Sequence, residues 1–226
     1  MAMGAIPSTV AVVTADLIGS RRYPREQRQD LDRVLKESFD AAEHLYPQAV
    51  LTPLGFKIVQ GDEFQMVLKK PADAYPFLFF MRVFLANTNL NPRPNFRASI
   101  GIGEIAIIEG TTPYAMDGVA FHASRDGLDR LGQDKAGRSR LTALVTGDGK
   151  KDVWFDIVLM YQDLLEKKWS LAQREAIFWR MQLQTYEAIG KKIDIAQQNV
   201  QKRLQAAHWE EFSRGMEFIK EAIFTL

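Results

Sequence analysis

Cysteine is absent from the 226-residue chain. That absence excludes disulfides, thiolate metal sites and cysteine nucleophiles, and it suits a reducing compartment. Histidine is scarce. His44, His122 and His208 are far apart in the chain, which argues against a histidine-built zinc centre. Charge of one sign is also lacking, because 29 Lys and Arg stand against 28 Asp and Glu. A net charge of +1 gives no global attraction to nucleic acid, so any such interaction has to rest on a local patch. No hydrophobic run reaches the length of a membrane span; the most apolar stretch, Phe77 to Ala86, is short and is interrupted by Arg82. The opening MAMGAIPSTV has neither the basic start nor the long apolar core of a signal peptide. A soluble, cytoplasmic protein with no membrane partner is therefore expected.

What is present reads as an ordinary globular chain, long enough for one medium domain and one small one. Residues 9 to 15, Thr-Val-Ala-Val-Val-Thr-Ala, form a short β-branched run that predicts a buried strand ending at Asp16. From about Glu26 to Leu45, Leu31, Val34, Leu35, Ala42 and Leu45 follow helical spacing, and Pro47 closes the helix. Two short strands around Gly61-Asp62-Glu63 predict a hairpin. A second helix opens at Pro71 and Asp73, a fourth strand covers Arg97 to Ile105, a third helix covers about Gly118 to Leu131, and a strand follows at Leu141 to Val145. The glycines of the fourth strand mark a place where another backbone approaches closely.

The order β-α-β-β-α-β-α-β predicts an α+β fold. Residues 1–150 are expected to form a ferredoxin-like or palm sandwich of the βαββαβ type, with helices on one face of a mainly antiparallel sheet. After Gly147-Asp148-Gly149 no strand is predicted. Residues 151–226 are expected to form an all-α domain with a helix-turn-helix, opened by a capping box at Ser170 and Gln173.

Two acidic residues occupy special positions: Asp16 at a strand end, and Asp62 at a hairpin tip with Glu63 beside it. Phosphoryl and nucleotidyl transfer rely on carboxylates that hold divalent cations, and Mg²⁺ prefers oxygen ligands. Spacing alone leaves a second reading open, in which both residues only cap and turn the chain. Asp16-Leu17-Ile18-Gly19-Ser20 resembles the metal-binding segment of class III nucleotidyl cyclases. Gly61-Asp62-Glu63-Phe64 resembles the hairpin that carries their second metal carboxylate, and also the GGDEF signature of diguanylate cyclases. RASIGIGE, from Arg97 to Glu104, and GVAFHASR, from Gly118 to Arg125, resemble the strand and helix that follow. ADLIGSR, QGDEFQ, SIGIGE and DGVAFHASRDGLDRL, in this order, are similar to the SatD family of bacterial proteins over the first two-thirds of the chain.

The cyclase resemblance implies Mg²⁺ or Mn²⁺ held by Asp16, Leu17, Asp62 and Glu63. It implies a nucleotide or phosphate ligand met by Gly19, Ser20, Arg21 and Arg125, with Asp16, Asp62 and Arg125 catalytic if the protein is an enzyme. Three departures stand against an orthodox cyclase. Phe121 or His122 replaces the ribose-binding asparagine, no lysine matches the purine reader, and Ser20 replaces a phenylalanine. For Arg125 an ion pair with Asp126 or Asp129 is an equal reading, and Arg21 and Arg22 fit a solvated loop as well as a phosphate clamp. His122 reads as a packed or hydrogen-bonded helix residue.

Residues 185 to 204 resemble the helix-turn-helix of the fourth region of sigma factors. Gly190 allows close helix crossing, Asp194 takes the turn, and Ile193, Ile195, Val200 and Leu204 are expected in a tri-helical core. DNA is then the expected partner, contacted by Gln197, Gln198, Asn199, Gln201, Lys202 and Arg203. Amides pair with adenine edges and cations reach phosphates. The competing reading is a three-helix bundle used for dimerisation. Phe212, Met216, Ile219 and Ile223 share one helical stripe, expected as core or as the seam of a homodimer. Two functions follow: a DNA-binding regulator whose palm domain senses a nucleotide or metal–phosphate ligand, or a Mg²⁺- or Mn²⁺-dependent nucleotidyl cyclase or transferase.

Overall fold

A run of small and β-branched residues with apolar side chains in both phases of the strand repeat has to be covered on both sides. Strand β1, Val10–Leu17, is such a run and forms the centre of the sheet. The computed structural model describes residues 7–51, 54–60, 62–107, 116–133 and 140–225. After β1 come α1 (Arg28–Leu45), the hairpin β2 (Phe56–Gln60) and β3 (Glu63–Leu68), α2 (Ala74–Ala86) and β4 (Phe96–Gly103). A two-residue pair follows, β5 (Ala106–Ile107) with β6 (Met116–Asp117), then α3 (Val119–Gln133) and β7 (Thr142–Val145). Five helices complete the chain: α4 (Gly149–Lys168), α5 (Leu171–Arg180), α6 (Tyr186–Ile193), α7 (Gln197–Ala206) and α8 (Trp209–Phe224). The main sheet runs β2-β3-β1-β4-β7, antiparallel except for the parallel pair β4 and β7. Gly61 of the expected turn lies outside the described residues.

The expectation of helices on a single face is corrected. Ala11, Val13, Ala15 and Leu17 belong to the core that contains the buried residues of α1 and α2. Val10, Val12 and Val67 instead pack with Ala120 and Phe121 of α3 on the opposite face. The alternation in β1 carried this signal, since Val10 and Val12 are as apolar as Ala11 and Val13. Helix α3 lies almost on the sheet. A Cβ on Gly101 would strike the backbone at Ala120 and Ser124, and one on Gly127 would strike Ser99.

Helix α4 begins where the strands end, at Gly149, capped by the Asp148 side chain accepting from the amides of Lys150 and Lys151. The later helices share the core of the sheet. Phe79 of α2 meets Trp169, Trp209 and Phe212 with ring centroids 4.6 to 6.2 Å apart, and one apolar cluster runs from Ala11 to Ile223. The stripe of Phe212, Met216, Ile219 and Ile223 is buried in it, within this one chain.

Arg82, alone in the apolar run of α2, is fully buried. It donates to Glu166 Oε2 at 2.9 Å and to Thr142 Oγ1 at 2.8 Å, and lies 4.0 Å from Asp163. Asp163 accepts from the amides of Leu141 and Thr142 at 2.7 and 3.1 Å. Arg174 of α5 donates to the Glu166 carbonyl at 2.5 Å and stands 3.6 Å from its carboxylate. This network ties the sheet, α2, α4 and the first helix of the tri-helical unit together.

Candidate functional site

Strand register builds the acidic cluster. Asp16 stands opposite Glu63 of β3 on one side and Arg97 of β4 on the other. Directly opposed residues of antiparallel strands share a face, so Glu63, Asp16 and Arg97 form a charged row on the face that α3 covers. One step further in, Gln65, Thr14 and Ser99 form a second polar row. Gln65 donates to Thr14 Oγ1 at 3.1 Å, and Thr14 meets Ser124 of α3 at 2.9 Å.

In the outer row every charge has an opposite partner. Arg97 grips Asp16 with two bonds, 2.6 Å to Oδ2 and 3.3 Å to Oδ1. Arg125 grips Glu63 likewise, at 2.7 and 2.5 Å. It pairs with Glu63 of the sheet beneath α3, rather than with Asp126 or Asp129 on its own helix. At the hairpin tip Asp62 accepts the Ser20 hydroxyl at 2.6 Å, and its carbonyl accepts the Leu17 amide at 2.9 Å. Gly19 is left-handed (φ 69°), a conformation that glycine takes without the strain a Cβ brings, and it turns the chain into the short 3-10 segment Ser20–Arg22. Arg21 and Arg22 are exposed there. His122 is exposed, with Nε2 2.7 Å from Asp117 Oδ1. The register thus gathers Asp16, Leu17, Gly19, Ser20, Asp62, Glu63 and Arg125 at one end of the sheet. The sequence reading gives Arg97 no role, because its pairing with Asp16 is set by the register of β4 against β1.

The second candidate site is helical. Thr185 caps α6 by accepting the Ala188 amide at 3.1 Å. Asp194 ends it in the left-handed conformation (φ 54°), and α7 starts three residues later. Ile189, Val200 and Leu204 are buried, and Ile193 and Ile195 pack against the core. A Cβ on Gly190 would lie 2.5 Å from the Ile195 carbonyl, so the crossing of α6 and α7 requires glycine. Gln197, Gln198, Asn199, Gln201 and Lys202 are exposed on α7. Arg203 instead turns back onto α5, 3.0 Å from Glu175, and is half-buried. Lys192 caps the ring of Trp179 at 4.7 Å.

The sequence profile of the SatD family matches residues 10–222, nearly the whole chain. The chain belongs to the SatD family. A comparison with curated proteins gives no match. In this SatD-family protein the matched span runs from the first core residue of β1 to the last turn of α8, so sheet and helical unit belong to one family pattern.

Among the described residues, no three His, Cys, Asp or Glu side chains converge as a metal cage. Asp16 and Asp62 are oxygen donors of the kind Mg²⁺ or Mn²⁺ accepts, and Mg²⁺ commonly takes only one or two carboxylates when phosphate oxygens and water complete its shell. Arg97 now occupies the Asp16 carboxylate. A cation held there would share Asp16 with Arg97 or replace it. Among the described residues no helix is long and apolar enough to cross a membrane.

Proposed function

We propose that this SatD-family protein binds DNA through α6 and α7, and that its charged sheet edge takes a nucleotide or metal–phosphate ligand that biases the binding. The observation that carries the reading is the outward face of α7, where Gln197, Gln198, Asn199, Gln201 and Lys202 are all exposed beside a tight turn at Asp194. A dimerisation helix would turn apolar side chains outward. Amides instead suit adenine edges, each good bidentate contact contributing about 1–3 kcal/mol of discrimination, and Lys202 suits a phosphate. Selection from genomic fragments, followed by titration of the winning sequence at several salt concentrations, tests it. A preferred sequence whose affinity falls with salt supports the reading, and no enrichment over bulk fragments refutes it.

The ligand half rests on three carboxylates and two arginines gathered at one edge. Arg97 and Arg125 are cations that phosphate oxygens would attract from their carboxylates. Asp16 and Asp62 would hold Mg²⁺ or Mn²⁺, whose chemistry there is neutralisation of phosphate charge. A nucleotidyl cyclase or transferase is the second reading, favoured by the same cluster. A thermal-shift panel of ATP, GTP, CTP and UTP with either metal, on wild type and Asp16→Asn, tests ligand binding. Chromatography of the mixtures for product separates sensor from enzyme.

A further inference from the structure

Helix α4 buries one face and leaves the other apolar. Phe155, Leu159, Gln162, Asp163 and Glu166 point inward. Val153, Trp154, Ile157, Tyr161 and Leu164 leave 57, 54, 47, 61 and 40% of their surface exposed. Spacings of three and four residues put these five in one stripe. Between Val153 and Leu164 the remaining exposed residue is Asp156, and Arg140 of the same chain neutralises it at 2.5 Å. A single exposed leucine needs no explanation, whereas five large apolar side chains in a row mark an interaction surface.

The geometry points to a second copy of this chain as the occupant, with α4 packed antiparallel against α4 across a two-fold axis near Ile157. A two-fold interface has to be self-complementary. The stripe meets that condition, because Trp154 and Val153 on one side of Ile157 are balanced by Tyr161 and Leu164 on the other. Antiparallel packing sets Trp154 of one copy against Tyr161 of the other. Charge points the same way: the stripe holds no unneutralised charge for a different partner to read. The exposed Lys150 and Lys168 fall at its two ends, as a polar rim around an apolar centre. Two half-exposed aromatics and three half-exposed aliphatics remove on the order of 500 Å² per copy, roughly 1,000 Å² in all, which is the threshold for a specific interface. The inference is independent of DNA binding.

Sedimentation equilibrium of the full chain across the micromolar range tests it, on wild type, Ile157→Asp and Tyr161→Glu. Both positions are exposed, so circular dichroism should match wild type, and the melting temperature should match that of wild type diluted until it is monomeric. The expected result is a dimer that both substitutions convert to monomer. The absence of native cysteine allows a second measurement: Ile157→Cys, beside the axis, should form a disulfide-linked dimer under mild oxidation, and Lys202→Cys should not. A wild type that stays monomeric, or a dimer that survives both substitutions, overturns the proposal. So does a monomer that pellets with phosphatidylcholine vesicles through Ile157 and Tyr161, which would assign the stripe to a lipid surface.

Discussion

Asp16 of β1 and Arg97 of β4 are direct cross-strand partners joined by two hydrogen bonds of 2.6 and 3.3 Å. The guanidinium is a tethered cation set against the very carboxylate that the cyclase-like motif assigns to a metal. Arg125 stands in the same relation to Glu63. Asp16 and Glu63 are thereby each neutralised at this end of the sheet, and an incoming divalent cation competes with cations the chain already supplies.

Removing that competitor should open Asp16. Arg97→Ala is expected to raise Mn²⁺ affinity about tenfold, the scale on which a neighbouring opposite charge alters a carboxylate. Because the pair is partly exposed, the stability loss should stay below about 1 kcal/mol. Titration followed by the paramagnetic signal of free Mn²⁺ reads the first quantity, and urea unfolding reads the second. Unchanged Mn²⁺ affinity would show that Arg97 does not gate the site.

The Arg82 network predicts a much larger effect. Arg82 and Glu166 are both fully buried, and removing one partner leaves the other charge uncompensated in the core. Arg82→Met should cost about 3–5 kcal/mol in urea unfolding. Arg82→Met combined with Glu166→Gln should recover part of the loss, because the stranded carboxylate is gone. A double variant no better than the single one would mean that packing, not charge, sets the cost.

These two arginines also mark where sequence reading succeeded and where it stopped. The strand and helix order was legible because each element announces itself locally: a β-branched run for β1, 3.6-residue spacing for α1, a capping box at Ser170 for α5. Asp16, Asp62 and the αL residue Asp194 were legible for the same reason. Arg97 and the Glu63–Arg125 pair were not, because strand register and helix placement across 62 to 81 residues of chain decide them. In the sequence Arg82 is only a break in an apolar run. A lone cation there demands a buried carboxylate, but nothing local says that Glu166, 84 residues on, provides it. The apolar face of α4 was hidden differently: its inward face carries Gln162, Asp163 and Glu166, so the helix lacks a simple polar-outside pattern.

Asp163 makes part of the stability depend on pH. Burial raises its carboxyl from 3.8 to about 6, opposed by Arg82 and by the amides of Leu141 and Thr142. Between about pH 4 and 6 the folded protein keeps a proton that the unfolded chain has released. The group therefore favours folding below its unfolded pKa, and that contribution is lost as pH rises through its folded value, by at most about 3 kcal/mol. Asp163→Asn retains a carbonyl acceptor for the two amides and does not titrate. The difference in unfolding free energy between wild type and this variant should shift against wild type from pH 4 to 6 and level off above. A flat difference would refute the assignment.

On α7, three neighbouring side chains should fail in three different ways once a preferred DNA sequence is known. Gln198 is exposed and carries no charge, so Gln198→Ala should leave the salt dependence intact and relax preference at one base position by about 1–3 kcal/mol. Lys202 is exposed and charged; Lys202→Ala should weaken binding to all sequences and lower the salt slope by about one. Arg203 is tied to Glu175 and to the Ala172 carbonyl of α5. Arg203→Ala should therefore lower the melting temperature while leaving the salt slope of the folded fraction unchanged. Anisotropy titrations at several salt concentrations, with melting curves on the same samples, separate the three. If Arg203→Ala lowers the salt slope as Lys202→Ala does, its side chain leaves α5 for the phosphate backbone when DNA binds.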